Sequence, residues 1–297
     1  MEYTPFNGTG NRPVAYGYNW CMGNLYLVAT PIGNLEDLSP RALRILREAR
    51  LIAAEDTRVT RKLLTHFDLH TPLTSYFEHN KLSKLDSILT GLAQGDVALV
   101  SDAGTPAIND PGYELVRAAL AAGHTVSPIP GPSAPLAALA ASGLPTDAFL
   151  YLGYLPRKSA ERKELFGRIV EMPYTLIFLE SPHRLLDGLA DLEASLGDRQ
   201  VAVARELTKV HEEIWRGAIS EARLHFTENE PRGEFTLVVA GKTRDDMALW
   251  TEEDLRTAIQ LGVKLGESPA ALAKRLAEES GWERRAIYKM AASFPRK

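Results

Sequence analysis

Four short strand-like runs, Leu25 to Ala29, Leu51 to Ala54, Val97 to Val100 and Thr125 to Ile129, punctuate the first half of the chain, and the first three are almost free of polar residues. Successive side chains of a strand point to opposite faces of its sheet, so an unbroken apolar strand must be covered on both sides. The segments between the runs carry helical signals. Ser39-Pro40 is a cap followed by a first-turn proline ahead of Leu43 and Leu46, and Leu82, Leu85, Ile88, Leu89 and Leu92 form a helical stripe. Strands alternating with helices in this way predict an α/β fold with a parallel-rich sheet sandwiched between helices.

The pattern breaks at Gly143-Leu144-Pro145-Thr146-Asp147, which reads as a linker, and strands recur at Phe149 to Leu152, Thr175 to Leu179, Val201 to Ala204, Glu213 to Arg216 and Phe235 to Ala240. The later ones are closely spaced and partly alternating, which predicts antiparallel pairing in a second α/β domain. From Thr251 the signals are helical only: Glu252 to Leu261, Pro269 to Glu279 with Ser268 as N-cap, and Trp282 to Phe294. The expected organisation is two α/β domains, 24–144 and 148–244, with a helical module at 250–297. Residues 1–23 lack periodicity and read as a disordered or non-native extension, with Met22 a natural alternative start.

A chain of 297 residues, 45% hydrophobic and 24% charged, has the composition of a globular protein large enough for two cores. No apolar run reaches membrane-spanning length and no signal-peptide pattern opens the chain, so a cytoplasmic protein is expected. A single cysteine, Cys21, allows neither an internal disulfide nor a thiolate cluster. The net charge of -4 gives no global attraction to nucleic acid, so an RNA partner would need local basic patches.

Common cofactor signatures are missing. Gly8-Thr9-Gly10 follows no strand, and Gly241-Lys242-Thr243 has Thr236 where a phosphate loop needs its leading glycine. No metal is expected. What the chain does have is a series of polar loops, each following an apolar run: Thr30 to Asp37, Glu55 to Arg58, Ser101 to Gly112, Pro130 to Ser133, Glu180 to Arg184 and Arg205 to Lys209. The carboxyl ends of parallel strands form the ligand crevice of open α/β sheets. The longest of these loops, SDAGTPAINDPG, holds Gly104 where a backbone can approach a ligand, and Asp110-Pro111 reads as a cap and first-turn proline of the next helix.

In this order, LYLVATPIGNLED (Leu25 to Asp37), AAEDTR (Ala53 to Arg58), SDAGTPAINDPG, PIPGPSA (Pro128 to Ala134), ESPHR (Glu180 to Arg184) and ARELTK (Ala204 to Lys209) resemble the tetrapyrrole-methylase-like S-adenosylmethionine methyltransferases. More narrowly they resemble the branch of that family that methylates a cytidine 2'-hydroxyl in the decoding region of small-subunit (16S) rRNA. The resemblance spans about Asn24 to Gly241 and extends more weakly into the tail. It implies a two-domain α/β fold with S-adenosyl-L-methionine bound in a cleft between the domains, a homodimer, and 16S rRNA or the 30S subunit as partner. It assigns cofactor contacts, mostly through backbone, to Pro31, Ala103, Gly104, Thr105, Ile108, Ser133 and Ala134, and from the second domain to Glu180 and Leu207. The broader family often has Gly-Asp-Pro where this chain has Gly104-Thr105-Pro106, so an acidic role at that position is not carried over.

A neutral ribose hydroxyl is a poor nucleophile and must lose a proton as it attacks the methyl group in line. Glu55, Asp56, Glu180 and Glu206, each at a strand end, are the candidate bases, with Asp56 placed first as the catalytic residue; pairing of Asp56 with Arg58 to shape the loop is the other reading. Arg58, Arg157, Lys158, His183, Arg184, Arg205 and Lys209 are the candidate substrate contacts. The tail, with Lys274, Arg275, Arg284, Arg285 and Lys289, reads equally as a helix-turn-helix-like RNA grip and as a packing or dimerisation appendage. A tetrapyrrole or other small-substrate methyltransferase, and a non-catalytic RNA-binding assembly factor, are the rival functions.

Overall fold

The computed structural model describes residues 23–242 and 250–294. The expected extension over 1–23, Cys21 and Met22 included, lies outside the described residues except for Gly23. The chain divides into two compact units at Ser133/Ala134.

In the first unit, β1 (Asn24–Val28), β2 (Leu51–Ala54), β3 (Leu73–Ser75), β4 (Val97–Val100) and β5 (Thr125–Ile129) form a five-stranded sheet in the order β3-β2-β4-β1-β5. Every pairing is parallel. All four residues of β4 are buried, and their alternation sorts them between two cores. Ala98 and Val100 meet α1 (Pro40–Glu48) and α2 (Thr57–His66), while Val97 and Leu99 meet α3 (Lys81–Leu92) and α4 (Tyr113–Ala121). That double cover explains the unbroken apolar runs. Ser39 caps α1 as expected, its hydroxyl accepting from the Ala42 amide at 3.0 Å. Pro128 is tolerated because β5 is an edge strand. β3 is too short to leave a sequence signal.

The second unit opens with α5 (Ala134–Ser142) and carries a mixed sheet of β6 (Phe149–Tyr154), β7 (Thr175–Glu180), β8 (Gln200–Arg205), β9 (Glu213–Ala218) and β10 (Phe235–Val239). Its order is β6-β7-β10-β8-β9; β6 is parallel to β7, and every later pairing is antiparallel, as the spacing of the strands predicts. One face packs on α6 (Ser159–Ile169), α7 (Leu185–Leu196) and α8 (Ile219–Glu228), through Phe166, Leu189 and Phe226 against Leu176, Phe178 and Leu237. The other is covered by α5, whose Ala138 and Leu139 meet Ile177, Ala202 and Val238. This packing places 134–142 with the second sheet, whereas the expected linker follows that helix at Gly143.

α9 (Glu252–Lys264), α10 (Pro269–Ser280) and α11 (Arg284–Ser293) bury Leu255, Ile259, Leu272, Leu276 and Ile287 in a core of their own. Ser268 caps α10, accepting from the Ala271 amide at 3.2 Å. Among the described residues no helix is long and apolar enough to cross a membrane.

Candidate active site

The loops that leave β1, β4 and β5 in the first unit are tied together by hydrogen bonds. Thr30 and Gly104 exchange both backbone bonds, at 2.9 and 3.0 Å. The Thr105 hydroxyl donates to the Pro132 carbonyl at 3.3 Å, and the Thr30 hydroxyl to the Ser101 carbonyl at 3.3 Å. Pro31, Ala103, Gly104, Thr105 and Ser133 therefore belong to one linked group of strand-end loops. Ile108, in the same loop as Gly104, is 52% exposed. Ala134 is the first residue of α5 and of the second unit.

Backbone strain is concentrated in two of the motif loops. Five described non-glycine residues have positive φ; Ala107 and Asn109 lie in SDAGTPAINDPG, Glu206 and Thr208 in ARELTK, and Asp68 elsewhere. Such conformations cost of order 1–3 kcal/mol each and cluster where structure serves binding. The helix after SDAGTPAINDPG starts later than Asp110-Pro111 implies, because Gly112 holds the N-cap position of α4. A Cβ on Gly112 would lie 2.7 Å from that of Ala107, so glycine alone fits. Released from capping, Asp110 is partly buried near Ser101 and Glu55, and burial lifts its carboxyl to about 6.

Two neighbouring carboxylates behave alike. The Glu55 carboxylate accepts from the Asp102 amide at 3.2 Å, and the Asp102 carboxylate accepts from the Asp56 amide at 3.0 Å. Burial raises both groups above the ordinary carboxylate range, and like charge adds to it, from Asp102 and Asp56 on Glu55 and from Asp56 on Asp102. Asp56 is different. It caps α2, accepting from the Arg58 amide at 2.8 Å, and forms a two-pronged ion pair with the Arg58 guanidinium that holds its carboxyl at about 2. Asp56 thus shapes the loop, and a carboxylate so committed is a weak base. A cavity of about 220 Å³ opens beside these groups, lined by Pro31, Leu35, Val59, Thr60, Lys62 and Asp102 among others.

In the second unit the expected residues are largely committed within the fold. Glu180 is buried on the α7 side of β7, where its Oε1 takes Arg184 at 2.6 Å and the Ser181 amide at 2.7 Å. Arg184 also donates to the Leu155 carbonyl. Arg205 pairs with Glu213 at 2.9 Å, and Lys209 pairs with Glu206 at 2.8 Å. Leu207 packs on the opposite face of the sheet, beside the α5 core. Lys158 pairs with Glu161 at 3.0 Å, and Arg58, 86% exposed at its side chain, has its charge answered by Asp56. Arg157 and His183 are exposed at turns, and no ion pair with a described residue engages them. Among the described residues four buried side-chain atoms lack hydrogen-bond partners, and three of them, Glu180 Oε2, Arg205 Nε and Thr208 Oγ1, fall in the ESPHR and ARELTK motifs. Among the same residues no group of three or more His, Cys, Asp or Glu side chains is placed to hold a metal ion.

A doubly covered parallel sheet with cross-linked strand-end loops, joined to a mixed α/β unit, defines a two-unit α/β enzyme class. The profile of the Tetrapyrrole (Corrin/Porphyrin) Methylases matches residues 24–223, and the chain belongs to that family. It is 49% identical to the ribosomal RNA small subunit methyltransferase I of Synechocystis sp., over 91% of this chain and 97% of that one. The protein of the same name from Halalkalibacterium halodurans is 47% identical over 90% of this chain and 93% of its own. Among solved structures, uroporphyrin-III C-methyltransferase from Thermus thermophilus complexed with S-adenosylhomocysteine shares the fold, with a TM-score of 0.51 at 21% identity over 73% of this chain and 97% of that one.

Proposed function

We propose that this chain transfers a methyl group from S-adenosyl-L-methionine to the 2'-hydroxyl of a cytidine in the decoding region of small-subunit rRNA. The observation that carries the reading is near end-to-end similarity, at 49% identity, to a protein named for methylation of small-subunit rRNA. The first-unit loops fit the cofactor physically. The Thr30–Gly104 bridge and the positive φ of Gly104 present backbone rather than side chain at the strand ends, and Glu55, Asp102 and Asp110 give that region the negative potential a sulfonium cation requires. Pro31, Ala103, Gly104, Thr105, Ile108 and Ser133 would hold it. When bound, it supplies an electrophilic methyl group on a positively charged sulfur.

Everything else falls to the protein. The strand-end loops fix the line of attack, and alignment supplies much of the acceleration. Of the four candidate carboxylates, Glu55 lies at the end of β2 with its proton affinity raised by burial, which suits it to accept the ribose proton; Asp56 caps α2, Glu180 is paired with Arg184, and Glu206 is held low by Lys209. Arg157 and His183, the two expected substrate contacts of the second unit that are exposed and outside any ion pair with a described residue, are available to the RNA. Action in the cytoplasm as a homodimer, on rRNA or the assembled 30S subunit, belongs to the same proposal.

Incubation of the purified chain with radiolabelled S-adenosylmethionine and 30S subunits or 16S rRNA, followed by mapping of ribose methylation, tests it. Label on a decoding-region cytidine ribose is expected. Label on no rRNA nucleotide, or transfer to a tetrapyrrole instead, would overturn it.

A further inference from the structure

The helical tail has a core of its own and a chemistry unlike the rest of the chain. In α9 and α10 both arginines are answered: Arg256 pairs with Glu252 at 2.7 Å, and Arg275 with Glu267 at 2.8 Å and Glu279 at 3.2 Å. In α11 they are not. Arg284, Arg285 and Lys289 are exposed and make no ion pair with a described residue, and Tyr288 is 49% exposed with neither a ring nor a hydrogen-bond partner among them. The spacings 284/288 and 285/289 put these four side chains in two adjacent rows of one helix face, with neighbouring Cβ atoms about 5–6 Å apart. The opposite face, Ile287 and Ala291 with Met290 and Phe294, is committed to the tail core.

Three further observations bear on what this face meets. Arginines in the first turn of a helix oppose the helix dipole, so Arg284 and Arg285 weaken α11 where an acidic residue would strengthen it. The turn before α11 is rigid: Gly281 ends α10 in the left-handed conformation at φ 73, the Trp282 indole donates to the Trp250 carbonyl at 2.6 Å, and the Trp282 amide to the Ser280 hydroxyl at 3.2 Å. The matched family profile ends at residue 223, short of the tail, yet the Synechocystis rRNA methyltransferase aligns over 91% of this chain, which leaves too few residues unmatched to omit it.

We infer that α11 is an RNA-docking face, on which Arg284, Arg285 and Lys289 contact backbone phosphates of the small-subunit rRNA while Tyr288 stacks on an unpaired base. The charge complementarity is direct, since RNA offers a row of phosphates to a face with no carboxylate among its four residues. Stacking on an exposed aromatic ring is a general way proteins grip single-stranded RNA. This inference rests on the proposed rRNA substrate and adds the surface by which the chain holds it.

The test compares the full-length wild-type chain with R284Q/R285Q/K289Q, with Y288A, and with the control R256Q, which removes an exposed but paired cation. Binding to 30S subunits and to a decoding-region 16S fragment is measured over a range of salt, together with cofactor affinity, methyl-transfer kinetics and sedimentation. The triple variant is expected to bind RNA at least tenfold more weakly, and its salt dependence to flatten by a slope of about 0.7 for each phosphate no longer neutralised. Its KM for RNA rises while kcat at saturating RNA, cofactor affinity and sedimentation stay as in wild type. Y288A is expected to weaken binding without changing the salt slope, and R256Q to change neither. Unchanged RNA affinity and salt slope in a folded triple variant would overturn the inference. So would a change in oligomeric state at unaltered RNA affinity, which would make the face a protein interface. Wild-type RNA binding without methyl transfer, abolished in the triple variant, would sink the catalytic proposal and support this one.

Discussion

Glu55 and Asp102 hold each other's loops: the Glu55 carboxylate accepts from the Asp102 amide, and the Asp102 carboxylate accepts from the amide next to Glu55, that of Asp56. Two acidic side chains thus staple the ends of β2 and β4, and each gives up part of its hydration to do so. Glu55→Gln keeps the acceptor oxygen and removes the repulsion. It is expected to raise the stability of the unliganded chain at pH 7, because the buried charge and its repulsion are gone. If Glu55 takes the ribose proton, the same variant lowers methyl transfer about 100-fold or more. Denaturant unfolding and single-turnover kinetics check both halves; a variant that turns over normally and unfolds more easily would remove Glu55 from the reaction.

Gly104 has φ +78, and a Cβ there would meet Ile32 Cγ2 at 3.5 Å, an ordinary contact. Gly104→Ala is therefore penalised by backbone conformation and not by collision, at about 1–2 kcal/mol. Its effect on cofactor affinity, read by calorimetry, should exceed its effect on stability, because the altered backbone is the proposed contact. Equal losses in the two measurements would reduce Gly104 to a structural residue.

Asp110 titrates at about 6 in the folded chain, well above its value when unfolded. The native state then holds a proton that the unfolded state has released between about pH 4 and 6, so this group removes stability as pH rises through that window and leaves a constant deficit above it. Asp110→Asn should be no more stable than wild type at pH 4, gain progressively to pH 6, and hold that gain at pH 8. Melting curves at these three pH values suffice. A gain that is the same at pH 4 and pH 8 would contradict the assignment.

In the second unit Arg162, 5% exposed, pairs with Asp191 at 2.7 Å and also donates to the carbonyls of Pro156 and Arg157, joining α6 to α7 and to the turn before α6. Removing one member leaves a buried charge unanswered. Asp191→Ala is expected to cost about 3–5 kcal/mol, whereas the apolar double variant R162M/D191L should lose much less. Chemical denaturation of the two variants measures the difference directly.

The fold is legible in the sequence wherever burial forces a pattern. β4 is apolar at every position because helices cover both of its faces, and Ser39 and Ser268 read as caps because a hydroxyl before a proline-led helix has little else to do. α5 cannot be assigned to its sheet from sequence, since APLAALAAS is small and apolar on all sides and shows no preferred face. The motif loops are legible as a group, but the chemistry inside them is not. The Glu55–Asp102 link joins residues 47 apart in sequence, and the high proton affinity of Asp110 arises from burial that only the folded loop creates. The exception is the Asp56–Arg58 pair, two residues apart, which the sequence offers as the alternative to a catalytic Asp56 and the folded loop contains.

The strand order β3-β2-β4-β1-β5 has a consequence for how the chain is made. β1 leaves the ribosome before the other described strands, yet both of its hydrogen-bonded neighbours, β4 and β5, lie at residues 97–129. At ordinary translation rates of about 5–20 residues per second, β1 waits on the order of 5–20 s with both edges unpaired. During that interval an apolar strand is open to chaperones or to a neighbouring nascent chain. Slowing translation after residue 129 cannot protect it, whereas slowing before residue 97 lengthens the exposure, so synonymous codon changes in that stretch should alter soluble yield without altering the finished molecule.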